Sequence, residues 1–197
     1  MFKKLLLACS LVFFTQNLVA NEQVALKSHF LTLIDKVTKI VEDKSLDKHA
    51  RNSNIISTLA PSFDFELMAK LSLGSSWKKL NSDDKKRFVE LYVKRMENSY
   101  SSKVDAYSGE KVEVKDIKQP KKNRIALITD LVSKDENLEM VYKFYKPKKK
   151  QDDKEEWLIY DVEILGVSIL KTDKAQFKEY LKTHSITALI AQLDKNI

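Results

Sequence analysis

The apolar positions of this chain recur at helical spacing as far as about residue 108, alternate from there to about 164, and return to helical spacing at the end. Leu26, Phe30, Leu33, Val37, Ile40 and Val41 mark the buried stripe of a long amphipathic helix over 22–45. A second helix is expected from an Asp47 cap through Ile55, Ile56 and Leu59, ending near Pro61. Ser62 or Asp64 can cap a short third helix that Gly74 stops. The fourth opens at Asn81 or Ser82, with Asp83 and Asp84 in its electropositive first turn, and buries Phe88, Leu91, Tyr92, Met96 and Tyr100.

After Gly109 the period falls to two. Val112 and Val114 alternate loosely with Glu113 and Lys115, and Ile125, Leu127, Thr129 and Leu131 share one face of the next segment. Leu138, Met140, Tyr142 and Phe144 share a face of a third, and Trp157 to Ile164 makes a fourth. Polar stretches at 118–123, 133–137 and 146–155 separate them, so the pattern predicts a four-stranded antiparallel meander. The second and fourth strands are apolar on both faces, which predicts at least partial cover on both sides of the sheet. Helices over 172–183 and 185–195 close the chain. Helices, then strands, then helices give an α+β fold in one domain over 21–197.

Residues 1–20 are set apart from that domain. Lys3 and Lys4 precede an apolar run from Leu5 to Phe14, and Ala20 is followed by polar Asn21 and Glu22, as in a secretory signal peptide. The run is shorter than the ~20 apolar residues that span a bilayer. Leu18 is larger than the residue usual three positions before a cut, which places cleavage to within a residue or two of Ala20. Leu6, Leu7, Ala8 and Cys9 have the outline of a lipoprotein motif. Cutting there would leave only Leu5 to Ala8 as the apolar segment and expose Leu11 to Phe14, so Cys9 reads as one more residue of the signal. Without it the domain has no cysteine for a disulfide, a thiol nucleophile or a metal.

Export alters the meaning of the charge. The formal +7 becomes +5 once Lys3 and Lys4 leave, and only four of the 35 basic residues are arginine. Nucleic acid is an unsuitable partner for an exported protein, and bidentate arginine recognition of phosphate is scarcely available. The clusters Lys121 to Arg124 and Lys146 to Lys150 fall in strand connections, and acidic residues from Asp152 to Glu156 cancel much of the second. They read as solvated hairpin tips, with docking to anionic headgroups or an acidic partner as the alternative.

Catalytic chemistry is sparse. His29, His49 and His184 lie far apart in sequence, and no nucleophile elbow, phosphate loop or dinucleotide fingerprint occurs. Asp64, Asp130 and Asp161 sit among apolar residues, where a carboxylate needs a partner, and a salt bridge or cap is the simpler role. Neither a catalytic residue nor a metal site is expected.

Phe63-Asp64-Phe65-Glu66-Leu67-Met68-Ala69-Lys70-Leu71-Ser72-Leu73-Gly74, continuing through Trp77 to Leu80, resembles the MlaC family of periplasmic phospholipid-binding proteins of the Mla transport system. The likeness continues through Lys86 to Leu91, returns from Trp157 through Gly166 and Ser168 to Leu170, and extends to Gln176, Phe177, Leu189, Ile190 and Leu193. Leu165 departs from it, standing where an acidic residue commonly precedes the glycine, and the 146–155 hairpin is longer and more charged than the family pattern.

The resemblance implies a curved, cystatin-like sheet wrapped by helices around an apolar pocket. Two acyl tails of a glycerophospholipid would lie inside, with the headgroup in water. It implies a monomeric periplasmic carrier, not an enzyme, holding phospholipid as cargo and no cofactor. Its partners would be the inner-membrane Mla ABC transporter complex and the outer-membrane Mla lipoprotein complex, and its task the maintenance of outer-membrane lipid asymmetry. The side chains expected to line or gate the pocket are Phe65, Met68, Leu71, Trp77, Phe88 and Tyr92 from helices, Leu127, Met140, Tyr142 and Ile159 from strands, and Val167 and Ile169 after the turn. The rival readings are an enzyme on the same cone-shaped scaffold, with Asp130 or Asp161 as general base, and a lipid-independent binding module or chaperone using the cationic hairpin.

Overall fold

The computed structural model describes residues 3–105, 107–134 and 137–195, with side chains from Asn21 onward except 100–103. The side chains of the expected signal segment, Cys9 and Tyr100 therefore lie outside the described residues.

Four helices precede the sheet: α1 (Lys3–Glu42), α2 (Lys48–Leu59), α3 (Phe65–Leu73) and α4 (Ser82–Asp105). The caps are those the sequence offers. Asp47 accepts from the Ala50 amide at 2.8 Å, and Asp64 accepts from the Leu67 amide at 2.8 Å, each satisfying a donor that the first turn leaves free. Gly74, at φ +57°, ends α3 in a backbone conformation that side chains disfavour. The helix expected over 22–45 forms the C-terminal part of α1, whose backbone runs unbroken across the expected cut at Ala20.

The sheet has five strands rather than four, all antiparallel and in sequence order: β1 (Lys111–Lys121), β2 (Arg124–Val132), β3 (Asn137–Tyr145), β4 (Leu158–Ile164) and β5 (Val167–Ser168). The two-residue β5 is too short to show a period, which is why the pattern omits it. Leu165 at φ +49° and Gly166 at φ +76° turn the chain between β4 and β5.

Two irregularities aim the inner face. In β1, Val114 pairs with Thr129 and Asp116 with Ile128, so Lys115 is an extra residue. This bulge puts Ile117 on the same face as Val112 and Val114 and explains the loose alternation there. In β4, Asp161 pairs with Lys143 and Ile159 with Phe144, leaving Tyr160 as the extra residue. Ile159, Val162 and Ile164 consequently all face inward beside Phe144, Tyr142 and Met140.

Two helices follow, α5 (Ile169–Tyr180) and α6 (Ile186–Lys195). The first begins three residues earlier than expected because Ser168 caps it, its hydroxyl accepting from the Lys171 amide at 3.0 Å. The densest packing lies among the helices, where the Phe88 ring meets Trp77, Tyr92 and Phe177 at centroid distances of 5.7 to 6.4 Å. Phe30 of α1 closes on the sheet, 4.6 Å from the Tyr142 ring and 6.4 Å from that of Phe144. The other face of β2 is less covered than its apolar character implied: Ala126, Ile128 and Val132 are only half-buried, whereas Ile125, Leu127 and Thr129 are buried.

Candidate functional site

Between α1, α2 and the inner face of the sheet lies a cavity of ≈ 320 Å³. Helix α1 supplies Phe30, Leu33, Ile34 and Val37, and α2 supplies Asn52, Ile55, Ile56 and Leu59. The sheet contributes Met140, Tyr142, Ile159, Val162 and Ile164, with Ile169 at the start of α5. Phe63, Phe65, Met96, Glu97 and Val104 complete the wall. Only Asn52 and Glu97 bring an amide or carboxylate to it. The volume falls within the range of about 300–1,000 Å³ usual for small-molecule sites.

The cavity exists because α2 does not collapse onto the sheet. Of its apolar stripe only Ile55 is fully buried, while Ile56 and Leu59 remain half-buried. Helix α2 is tied at its far end by charge: Asp105 of α4 accepts from Lys48 at 2.8 Å and also from Arg51. Among the described residues, Tyr142 carries the one hydroxyl of the lining. Its nearest protein partner is the Met140 sulfur at 3.7 Å, and burial pushes its pKa up to about 12, so it stays neutral.

Five of the expected lining residues, Phe65, Met140, Tyr142, Ile159 and Ile169, do border the cavity. Seven do not. Met68, Trp77, Phe88, Tyr92 and Leu127 are buried in the solid core. Leu71 is half-buried on α3, and Val167 is 61% exposed at the rim of a separate recess with Arg95, Ser99 and Thr172. For the five in the core the reason is the same: an apolar pattern marks which side chains leave water and says nothing of whether atoms or a void lie beyond them. Leu33, Val37, Ile55, Ile56 and Leu59 carried the readable signal, since two helices with apolar stripes must face something. Asn52 and Glu97 carried none.

The carboxylates weighed as bases are held in structural roles. Asp161, 3% exposed, accepts from the Ser168 hydroxyl at 2.8 and 2.9 Å, the Leu170 amide at 3.1 Å and Lys143 at 3.2 Å. It thereby fixes β5 and the start of α5 to β4. Asp130 pairs with Lys115 at 3.2 Å, and Asp64 caps α3 and accepts from the Tyr145 hydroxyl and from Gln151. Hydrogen bonding to Asp64, together with burial as the larger cause, raises the Tyr145 pKa. A third buried acid, Asp173, accepts from Tyr92 at 2.8 Å and Arg95 at 2.6 Å, locking α5 to α4. The cationic hairpin is partly neutralised: Lys146 pairs with Glu22 and Glu156, and Lys154 donates to the Phe63 carbonyl at 2.9 Å.

His29 lies 3.5 Å from Ser62 and 3.6 Å from Glu155, while His184 stacks on Tyr180, so the histidines do not converge. Among the described residues, no group of three or more His, Cys, Asp or Glu is placed to hold a metal ion, and no helix is long and apolar enough to cross a membrane.

The chain is similar to proteins already known. A curated relative, the intermembrane phospholipid transport system binding protein MlaC of Haemophilus influenzae, is 21% identical over 189 residues, covering 92% of this chain and 88% of its own. A solved structure described as the phospholipid-binding protein from Ralstonia solanacearum in complex with a phospholipid superposes with a TM-score of 0.71 at 18% identity, covering 83% of this chain and 92% of that one. Its likeness is one of fold. Residues 31–195 match the family described as MlaC protein, a span that takes in every element from the body of α1 to α6. This chain therefore belongs to the MlaC family.

Proposed function

We propose that this chain is a periplasmic carrier that holds a glycerophospholipid by its acyl chains and moves it between outer-membrane and inner-membrane Mla complexes, maintaining lipid asymmetry of the outer membrane. The observation that carries the reading is the cavity. It is apolar on nearly every wall, and among the described residues its one amide and one carboxylate side chain come from α2 and α4. Tails would enter toward Phe30, Tyr142 and Ile159, and the headgroup would remain near Asn52 and Glu97. Family membership and the relatives named for phospholipid binding and transport support the cargo.

The energetics suit a shuttle. Each chain carbon taken from water gains ~0.8 kcal/mol, so a free phospholipid does not cross an aqueous gap at a useful rate. Because the lipid begins and ends in a bilayer, the cavity need only match bilayer hydrocarbon. Smooth apolar walls with adaptable Met96 and Met140 do this, and no catalytic group or cofactor is required. Among the described side chains, which begin at Asn21, the first to line the cavity is Phe30.

The test is to express the full chain in a bacterial periplasm, purify it without detergent, and measure intact mass and organic extract by mass spectrometry. The reading expects a chain cut near Ala20 carrying phospholipid in near-stoichiometric amount. Substoichiometric lipid, with none acquired from donor vesicles, would count against the carrier. A diacylated Cys9 would count against a freely diffusing one.

A further inference from the structure

The cavity is apolar except on one side, and the polar side chains there are unmatched. Glu97 of α4 and Asn52 of α2 both line it, both are half-buried, and neither has a hydrogen-bond or ion-pair partner among the described residues. Among the described residues, Lys48 and Arg51 pair with Asp105 and Arg95 pairs with Asp173, while Arg51 Nε has no partner and none of these cations pairs with Glu97. A carboxylate facing an apolar space without a counter-charge is disfavoured unless water or a ligand supplies one. Position adds to this. Glu97 lines the cavity yet is only half-buried, so its carboxylate stands between the apolar interior and the water in which a headgroup remains.

We propose that Glu97 sets headgroup preference, favouring a lipid that bears a primary ammonium, of the phosphatidylethanolamine type, over an anionic one of the phosphatidylglycerol type. The inference rests on the carrier reading and specifies its substrate. The ammonium donates hydrogen bonds to the Glu97 carboxylate and neutralises it. Asn52, whose side-chain amide both donates and accepts, takes the phosphate or an ester oxygen. A glycerol headgroup brings a second negative charge beside the Glu97 carboxylate and no ammonium to neutralise it. The overall charge of +7 pulls in the opposite sense, attracting anionic lipid, so a preference for the zwitterion would mark the local group and not the protein's general field.

Delipidated protein is incubated with vesicles containing phosphatidylethanolamine and phosphatidylglycerol in equal amounts with identical acyl chains, reisolated, and its lipid quantified by mass spectrometry. One unit-charge contact at 4 Å in water corresponds to about fivefold, so enrichment of the ethanolamine lipid by about threefold or more is expected once salt screening is included. Glu97→Gln should return the ratio to that of the vesicles. Glu113→Gln, the same charge change on the exposed side of β1, should keep the enrichment. A wild-type ratio equal to the vesicles or favouring phosphatidylglycerol overturns the proposal, as does enrichment that survives Glu97→Gln. Failure of the wild type to take up either lipid would instead strike the carrier reading, and this inference with it.

Discussion

Val162→Phe separates a void from a packed core more directly than any truncation. Val162 is 5% exposed, lies opposite Tyr142 across β3 and β4, and borders the cavity between Ile159 and Ile164. Phenylalanine adds four carbons in the direction of the space. In a filled core such an insertion costs about 1–3 kcal/mol through displaced neighbours. Here the ring enters empty volume, so the stability of delipidated protein should stay within about 1 kcal/mol of wild type or rise. Cargo should respond oppositely. Four displaced chain carbons at ~0.8 kcal/mol each forfeit roughly 3 kcal/mol, a loss of affinity on the order of a hundredfold. Urea unfolding of delipidated protein gives the first quantity, and uptake of a fluorescent phospholipid from donor vesicles gives the second. A variant destabilised by several kcal/mol would mean that no space exists at Val162. A folded variant with wild-type uptake would mean that the space is not where lipid goes.

Truncations should rank by what surrounds them. Leu127→Ala, at a fully buried position outside the cavity, should cost about 2–5 kcal/mol in urea unfolding, whereas Ile56→Ala, half-buried on the cavity wall, should cost well under 2 kcal/mol. Asp161→Ala strands the Ser168 hydroxyl and the Leu170 amide and leaves Lys143 with Glu163 alone, and should cost about 3–5 kcal/mol in the same measurement, with loosening of α5 seen by amide exchange. Tyr142 ionises near pH 10 when unfolded and only near 12 when folded, so its contribution is complete below pH 10 and declines as pH rises toward 12. Between pH 8 and 11 the wild type should therefore lose about 1.4 kcal/mol more than Tyr142→Phe, and equal losses would refute the assigned burial. Val167→Asp should leave both stability and lipid uptake near wild type, because that side chain is largely in solvent and outside the cavity; abolished uptake in a folded protein would show that the rim takes part.

Much of this molecule is local and therefore legible along the chain. The order of helices and strands follows from the change of period at Gly109, and Asp47, Asp64 and Gly74 end helices through contacts within a few residues. Family membership was readable for a related reason: the matching segments around Phe63 to Leu80 and Trp157 to Leu170 include the caps, turns and buried aromatics that set the packing. What escaped was non-local or too short to have a period. The bulges at Lys115 and Tyr160 depend on pairing with β2 and β3, and β5 is held by Asp161, seven residues upstream of Ser168.

The candidate site divides along the same line. Sequence by itself determined that α1 and α2 each carry an apolar stripe, that Met140 and Tyr142 share one face of a strand, and that nothing resembling a catalytic motif accompanies them. Only the tertiary structure decided that Met68, Phe88 and Leu127 meet solid core while Ile34, Ile55 and Val162 meet empty space. The hydrophobic pattern records which atoms are removed from water, and removal is the same whether a neighbour or a void receives them. A void depends on how far two surfaces stand apart, which here is set by contacts remote in sequence: Phe30 against Tyr142, and Lys48 and Arg51 against Asp105.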